Sequence, residues 1–228
     1  MGSVARALKY AFSGKLPLHL KRRFGSRKQA FEAIYKLNYW QDGESVSGPG
    51  STLEATKQIR GSIEHVVRTY GIKSMLDAPC GDFNWMQHVD LAEVDYTGGD
   101  IVDELIARNQ AKHGGPRRRF KVVDLTSDDL GAYDLVHTRD CIAHLPFVDV
   151  LRVLRNISRS GSKYLLVTTS PRVTTNEDLS HPGSWRPLNL RLPPIGLGEP
   201  LELLPDAPRN DRNEKFAALY KLPLQPCP

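Results

Sequence analysis

The sequence predicts an α/β fold: a Rossmann-like, seven-stranded, mostly parallel sheet with helices on both faces, preceded by a basic helical N-terminal arm. Three observations carry this. From Lys73 onward, short apolar runs alternate with stretches of helical period, the signature of a parallel sheet covered by helices. At 228 residues and 40% hydrophobic content, the chain supports one well-buried core rather than two domains. Residues 1–40 hold nine Lys or Arg against Glu32 alone, a charge of +8, so with a net charge of +5 the remainder sums to −3. The organisation that follows is an arm over residues 1–40 and one domain over 41–228.

Taken in order, residues 1–40 alternate basic and apolar positions (Leu8, Tyr10 and Phe12, then Phe31, Ile34, Tyr35 and Leu37) around a break at Gly14 to Pro17. This predicts two short amphipathic helices. A basic arm on a mildly acidic body points to contact with phosphates or an anionic membrane surface, while the body itself carries no nucleic-acid signature. Residues 43–50 are loop by composition. Ser51 and Glu54 have the spacing of a capping box, so a helix is expected to start there, with apolar face Leu53, Ile59, Ile63, Val66, Val67 and Tyr70 and an end at Gly71.

Strands are expected over 74–77, 95–98, 120–123, 135–137 and 164–168, with helices near 83–89, 103–112 and 147–158. The last helix has the clearest signal, because Phe147, Val150, Leu151, Leu154 and Ile157 recur at three- and four-residue spacing behind Pro146. Residues 171–200 contain six of the sixteen prolines and no period. They read as a long inserted loop, and long ordered loops in compact domains are usually functional. Segments 201–204 and 216–222 then complete the seven strands.

No run of eighteen apolar residues is present, and the N-terminus lacks the apolar stretch and cleavage site of a signal peptide. A cytoplasmic protein is expected, peripheral to a membrane only through its arm. Cys80, Cys141 and Cys227 include no C-x-x-C pair and fit reduced thiols rather than a disulfide framework or a zinc site.

Open parallel sheets bind ligands at the carboxyl ends of their strands, where strand order reverses. The first strand runs into Asp77-Ala78-Pro79-Cys80-Gly81-Asp82, a tight turn with one glycine where backbone can approach a ligand. The second ends in Gly98-Gly99-Asp100. Asp100 stands 23 residues after Asp77, near the spacing of about 20 at which an acidic residue takes ribose hydroxyls. The third strand ends at Asp124-Leu125 and the fourth at Thr138-Arg139-Asp140. The pattern indicates an adenosine ligand. A dinucleotide needs a G-x-G-x-x-G turn around its pyrophosphate, whereas this turn has one glycine and adds Asp82, which repels phosphate. S-adenosyl-L-methionine has no phosphate and carries a sulfonium and an ammonium, which suit a carboxylate-rich turn.

Residues 76–169 resemble the core of the class I S-adenosylmethionine-dependent methyltransferases, whose first motif is D-x-G-x-G-x-G. Asp77 and Gly81 match that motif, while Pro79 and Phe83 replace two glycines. The run Asp77-Ala78-Pro79-Cys80-Gly81-Asp82-Phe83-Asn84-Trp85-Met86 is similar to a subgroup of small bacterial-type enzymes. So are Arg139-Asp140 followed by His144-Leu145, the segment Trp185-Arg186-Pro187-Leu188-Asn189-Leu190, and the upstream residues 44–51. The resemblance thus covers roughly residues 40–222. It implies that Asp77, Ala78, Pro79 and Gly81 lie beside the methionine part of the cofactor and that Asp100 takes the ribose hydroxyls. It further implies that Ile101 packs on adenine, that Asp124 accepts from the adenine amino group, and that Leu125 beside it is also cofactor-binding. An Asp ending a strand is also a common cap or turn former.

Arg60, on the capped helix, is a candidate bidentate partner of the cofactor carboxylate, or else an exposed helical arginine. Arg139, Trp85, Trp185 and Arg186 are candidates for the acceptor pocket. Trp85 also suits a core, whereas Trp185 in a proline-rich loop has less reason to be buried. Asp140 and His144 are four residues apart and share a face if their segment is helical. His144 is then the group that takes the acceptor proton, and Asp140 orients the imidazole or binds the acceptor. The expected activity is O-methylation of a hydroxylated small molecule or glycan. The alternatives are N- or carboxyl-methylation, an RNA-modifying or nucleic-acid-binding protein using the basic arm, and a cofactor sensor. No metal ligands are assigned.

Overall fold

The computed structural model describes residues 26–91, 93–180, 182–207 and 214–225. The first predicted arm helix, around Leu8, Tyr10 and Phe12, and Cys227 lie outside the described residues. The elements in chain order are α1 (Arg27–Lys36), α2 (Lys57–Thr69), β1 (Ser74–Asp77), β2 (Asp95–Asp100), α3 (Asp103–His113), β3 (Arg118–Val122), β4 (Leu135–Thr138), α4 (Phe147–Ser158), β5 (Tyr164–Thr169), β6 (Glu202–Pro205) and β7 (Phe216–Lys221). They form one seven-stranded sheet in the order β3-β2-β1-β4-β5-β7-β6. Strands β1 to β5 pair in parallel, while β7 runs antiparallel to both β5 and β6. Strand order therefore reverses between β1 and β4, which places the ligand crevice over their carboxyl ends.

Alternation along each strand sends side chains to two buried faces. Met75, Leu135, Leu166 and Leu219 pack on the face covered by Ile59, Ile63 and Val66 of α2. Leu76, Val136, Leu165 and Ala218 pack on the face covered by Val150, Val153 and Ile157 of α4. Gly98 is required by the β2–β3 register, because a Cβ there would lie 2.5 Å from the Phe120 ring.

Two expectations about local structure are corrected, and the expected long loop is found with an interior of its own. The Ser51–Glu54 capping box does not form. Residues Pro49–Ser51 make a 3-10 turn, the Glu44 carboxylate accepts from the Leu53 amide at 2.6 Å, and α2 begins at Lys57. The Ser51 amide, which a capping box would offer to Glu54, instead donates to the Gly48 carbonyl at 2.9 Å, and Leu53 is left exposed. The helix expected near 83–89 shrinks to the single 3-10 turn Met86–His88, since Gly81 and Phe83 take φ values of +54° and +59°. The loop over 171–200 has its own interior. Asn189 donates to the carbonyls of Pro171 and Val173, Asn176 donates to that of Asn189, and Leu188 and Leu190 are buried against the α4 face.

Leu190 has no exposed surface. Leu190→Ala is therefore expected to lower unfolding stability by about 2–5 kcal/mol, read from the denaturant midpoint. A loss under about 0.5 kcal/mol, the scale of a neutral surface change, would show that the loop contributes nothing to the core.

Candidate active site

The turn after β1 is tied to the sheet by its backbone. Ala78 N donates to the His137 carbonyl at 3.0 Å and Cys80 N to the Gly99 carbonyl at 2.8 Å. Gly81 has left-handed backbone, and a Cβ there would stand 2.3 Å from Ser47 Oγ, so only glycine fits this approach. Asp82 does not face the ligand crevice. Its carboxylate accepts from Ser45 Oγ at 3.0 and 2.9 Å and from Val46 N at 2.9 Å, clamping the 45–47 segment over the turn.

These contacts border a cavity of about 160 Å³ over the strand ends. Of the residues picked out for a cofactor, Ala78, Pro79, Gly81, Asp100, Ile101, Asp124 and Leu125 line it, and so do Trp85, Arg139, Asp140 and His144. Asp77 does not line it. Its carboxylate is buried, accepting from Tyr96 Oη at 2.6 Å and meeting His137 Nδ1 at 2.7 Å, so it bolts β1 to β2 and β4 beneath the turn.

Asp100 is the most ligand-ready carboxylate. Each oxygen accepts one backbone amide, from Val102 at 3.1 Å and from Gly81 at 3.2 Å, which leaves acceptor capacity on both. Burial pushes its pKa up to about 6, even though the amides of Val102 and Gly81 favour the charged form. Asp124 is differently placed. Arg27 Nη2 donates to its two oxygens at 3.1 and 2.7 Å, and Thr126 donates to Oδ1 from both amide and hydroxyl. Burial raises its pKa, but Thr126 and Arg27 outweigh that and hold it below the usual carboxylate range.

Asp140 and His144 also line the cavity. Asp140 takes a left-handed φ of +52°, an outlier for a non-glycine residue, secured by its amide donating to Thr168 Oγ1 at 3.0 Å. Lys215 Nζ lies 2.6 Å from its Oδ2. Burial would raise its pKa, yet Lys215 and Arg139 bring it down to about 2. The helix expected to align Asp140 with His144 is only the 3-10 turn Ile142–His144. The imidazole is oriented by the Ser184 carbonyl, 3.0 Å from Nδ1, and Asp140 is held by Lys215. A carbonyl only accepts, so Nδ1 carries the proton and Nε2 keeps its lone pair. Burial lowers the His144 pKa below its ordinary value, which favours the neutral base.

The remaining candidates separate by role. Arg139 is buried, donating Nε to Asp206 at 2.8 Å and Nη1 to the Gly50 carbonyl at 2.8 Å, with its guanidinium 5.4 Å from the Trp85 ring. It braces the cavity wall. Trp85 belongs to both core and wall, with its ring edge-on to His137. Trp185 is 37% exposed and lies outside this cavity, as does Arg186, which donates to the carbonyls of Ile142, Leu145 and Glu177 and pins the long loop. Arg60 also lies outside it, donating to the Leu53 carbonyl at 3.1 Å.

Sequence reasoning missed Arg27, Trp40 and Lys215. Trp40 packs 5.4 Å from the His144 ring, while Phe31, Ile34 and Tyr35 of α1 line the cavity. The apolar period of α1 signalled a buried face but not its partner, and nothing local marks Lys215.

The sequence matches no family model and no curated protein. Among solved structures, human N-acetylserotonin methyltransferase in complex with SAM aligns over 97% of this chain and 68% of its own, with TM-score 0.62 and 13% identity. PigF with SAH aligns over 96% and 68%, with TM-score 0.63 and 14% identity. Magnesium protoporphyrin IX methyltransferase from Synechocystis PCC 6803 with bound SAH aligns over 97% and 95%, with TM-score 0.52 and 13% identity. The protein therefore has the Rossmann-like, seven-stranded fold found in these methyltransferases, with its cavity over the carboxyl ends of the parallel strands.

Proposed function

We propose that this protein is an S-adenosylmethionine-dependent methyltransferase that methylates oxygen on a hydroxylated small molecule or glycan. The observation that carries this reading is one cavity lined by both the Asp100 carboxylate and the His144 imidazole, whose Nδ1 is engaged by the Ser184 carbonyl. Similarity to structures holding SAM or SAH supports the cofactor. The residues fit it. Asp100 keeps two acceptor positions for a ribose diol, Ile101 and Leu125 supply apolar contact for adenine, and Gly81 lets backbone approach the methionine part.

When bound, S-adenosylmethionine supplies an electrophilic methyl group on a sulfonium. The chain's own task is to hold an acceptor oxygen in line with that methyl and to remove its proton. His144 Nε2 accepts the proton, and the Nδ1–H bond to Ser184 keeps the ring in the receptive tautomer. Trp40, Trp85 and Phe31 supply apolar walls beside the reacting oxygen. In this reading the basic residues before α1 are a surface anchor for a cytoplasmic enzyme on anionic membrane. Among the described residues, no helix is long and apolar enough to cross a membrane.

Two measurements test the assignment. Calorimetric titration is expected to show SAH binding at one site per chain. Incubation with labelled S-adenosylmethionine and a hydroxylated metabolite or glycan extract is expected to label a product whose new methyl resists mild base, as an ether does and an ester does not. Absence of SAH binding removes the cofactor, and a methyl on nitrogen or carboxylate replaces the acceptor class.

A further inference from the structure

Helix α1 lies across the cavity, with Phe31, Ile34 and Tyr35 facing it and Ala30 and Ile34 buried. Its start is tied down by charge. Arg27 reaches two separate elements, Asp124 beyond β3 at 2.7 Å and Asp149 in α4 at 2.8 Å, and also donates to Thr126. Lys28 pairs with Asp103 of α3 at 2.7 Å.

The chain beyond α1 is held differently. From Glu44 onward it is fastened by hydrogen bonds to the turn after β1, through Glu44 with Asn84 and through Ser45 and Val46 with Asp82. Between the two attachments, Leu37 is 64% exposed, Asn38 and Gln41 have φ values of +41° and +50°, and Gly43 has nothing within 4 Å of where a Cβ would sit. A short joint with two left-handed residues, packed through Trp40, thus connects a fastened base to a helix whose outer end is tied by ion pairs. Residues of that helix line the same cavity as Asp100 and His144.

We propose that α1 is the gate of the cofactor chamber, latched shut by Arg27 across Asp124 and Asp149. The gate rests on the cofactor reading above, with SAH as its probe. Asp124 is then the seat of the latch, since Arg27 and Thr126 occupy its oxygens. Lifting α1 releases a forked guanidinium from two carboxylates and uncovers Phe31, Ile34 and Tyr35. The closed state also presses Trp40 onto His144 and Ile34 against Gly183, next to the Ser184 carbonyl that orients the imidazole. Closure of α1 over the cofactor therefore also packs the base.

The test combines stopped-flow dissociation of SAH with amide hydrogen exchange of residues 27–36, on the full chain without and with SAH. Arg27→Ala is expected to speed SAH dissociation about tenfold or more and to speed exchange across α1 in the free protein, as loss of charge-assisted bonds implies. Arg27→Lys is expected to fall between, because an ammonium cannot fork across two carboxylates. Arg191→Ala, which breaks an exposed pair with Glu199 elsewhere, is expected to match the unaltered protein. Unchanged dissociation in Arg27→Ala overturns the gate. Faster dissociation with unchanged α1 exchange makes Arg27 a direct ligand contact and also overturns it. Absence of SAH binding by the unaltered chain overturns the cofactor reading, and the gate with it.

Discussion

His144→Ala is expected to slow methyl transfer by about 10²–10⁴-fold, the usual contribution of a positioned general base, with little change in SAH affinity. The ring lines the cavity, and its Nδ1 is committed to the Ser184 carbonyl. Burial lowers its pKa, so the neutral base persists below the ordinary histidine value of about 6.5. The unaltered enzyme should therefore lose rate only as pH falls below that value, and the variant should lack this limb. The sign follows from the base role, since protonating Nε2 removes the lone pair that accepts the acceptor's proton. A variant with full rate and an unchanged pH profile would assign catalysis to positioning alone.

Asp100→Ala is expected to weaken SAH binding by about 2 kcal/mol or more, roughly thirtyfold, since each hydrogen bond to a charged group is worth about 1.5–3 kcal/mol. Calorimetry on a variant with unchanged circular dichroism reads this directly. The pH dependence gives an independent check. Burial holds the Asp100 pKa up at about 6 in the free protein, so ligand hydroxyls meet a carboxylate only above that pH. SAH affinity should fall by about tenfold per unit as pH drops below about 6, flattening where the bound-state pKa is reached. For folding, the sign runs the other way. A pKa raised above 3.8 means that this group's contribution to stability is full below 3.8 and is lost as pH rises through about 6. Removing the carboxylate should thus cost affinity, while at neutral pH relief of the buried charge offsets the lost bonds to the Val102 and Gly81 amides. Equal affinity in variant and parent would place the ribose elsewhere.

The strands were legible because their signals are local. β1 is observed over the predicted 74–77 and α4 over the predicted 147–158, where apolar period and flanking turn residues agree. Asp100, Asp124 and Asp140 were legible as strand-end acids because open parallel sheets concentrate ligand contacts at those ends. Helix starts were less so. The Ser51–Glu54 pattern is a sound capping box in isolation, but Ser51 closes the 3-10 turn Pro49–Ser51, its amide donating to the Gly48 carbonyl, and the helix starts at Lys57.

By itself, the sequence determined the sheet, the cavity's place at its strand ends, and the acidic residues that line it, since each follows from periodicity or spacing within a few tens of residues. Only the tertiary structure decided what those residues are free to do. Asp77 and Asp124 look alike at strand ends, yet Tyr96 and His137 consume the first and Arg27, 97 residues away, holds the second. Lys215, 75 residues from Asp140, keeps that carboxylate ionised, and Trp40 meets His144 across the cavity. The physical reason is that a carboxylate's role depends on how many of its lone pairs are already filled and on its burial. Both are set by partners that the fold brings in from distant sequence and that no local pattern records.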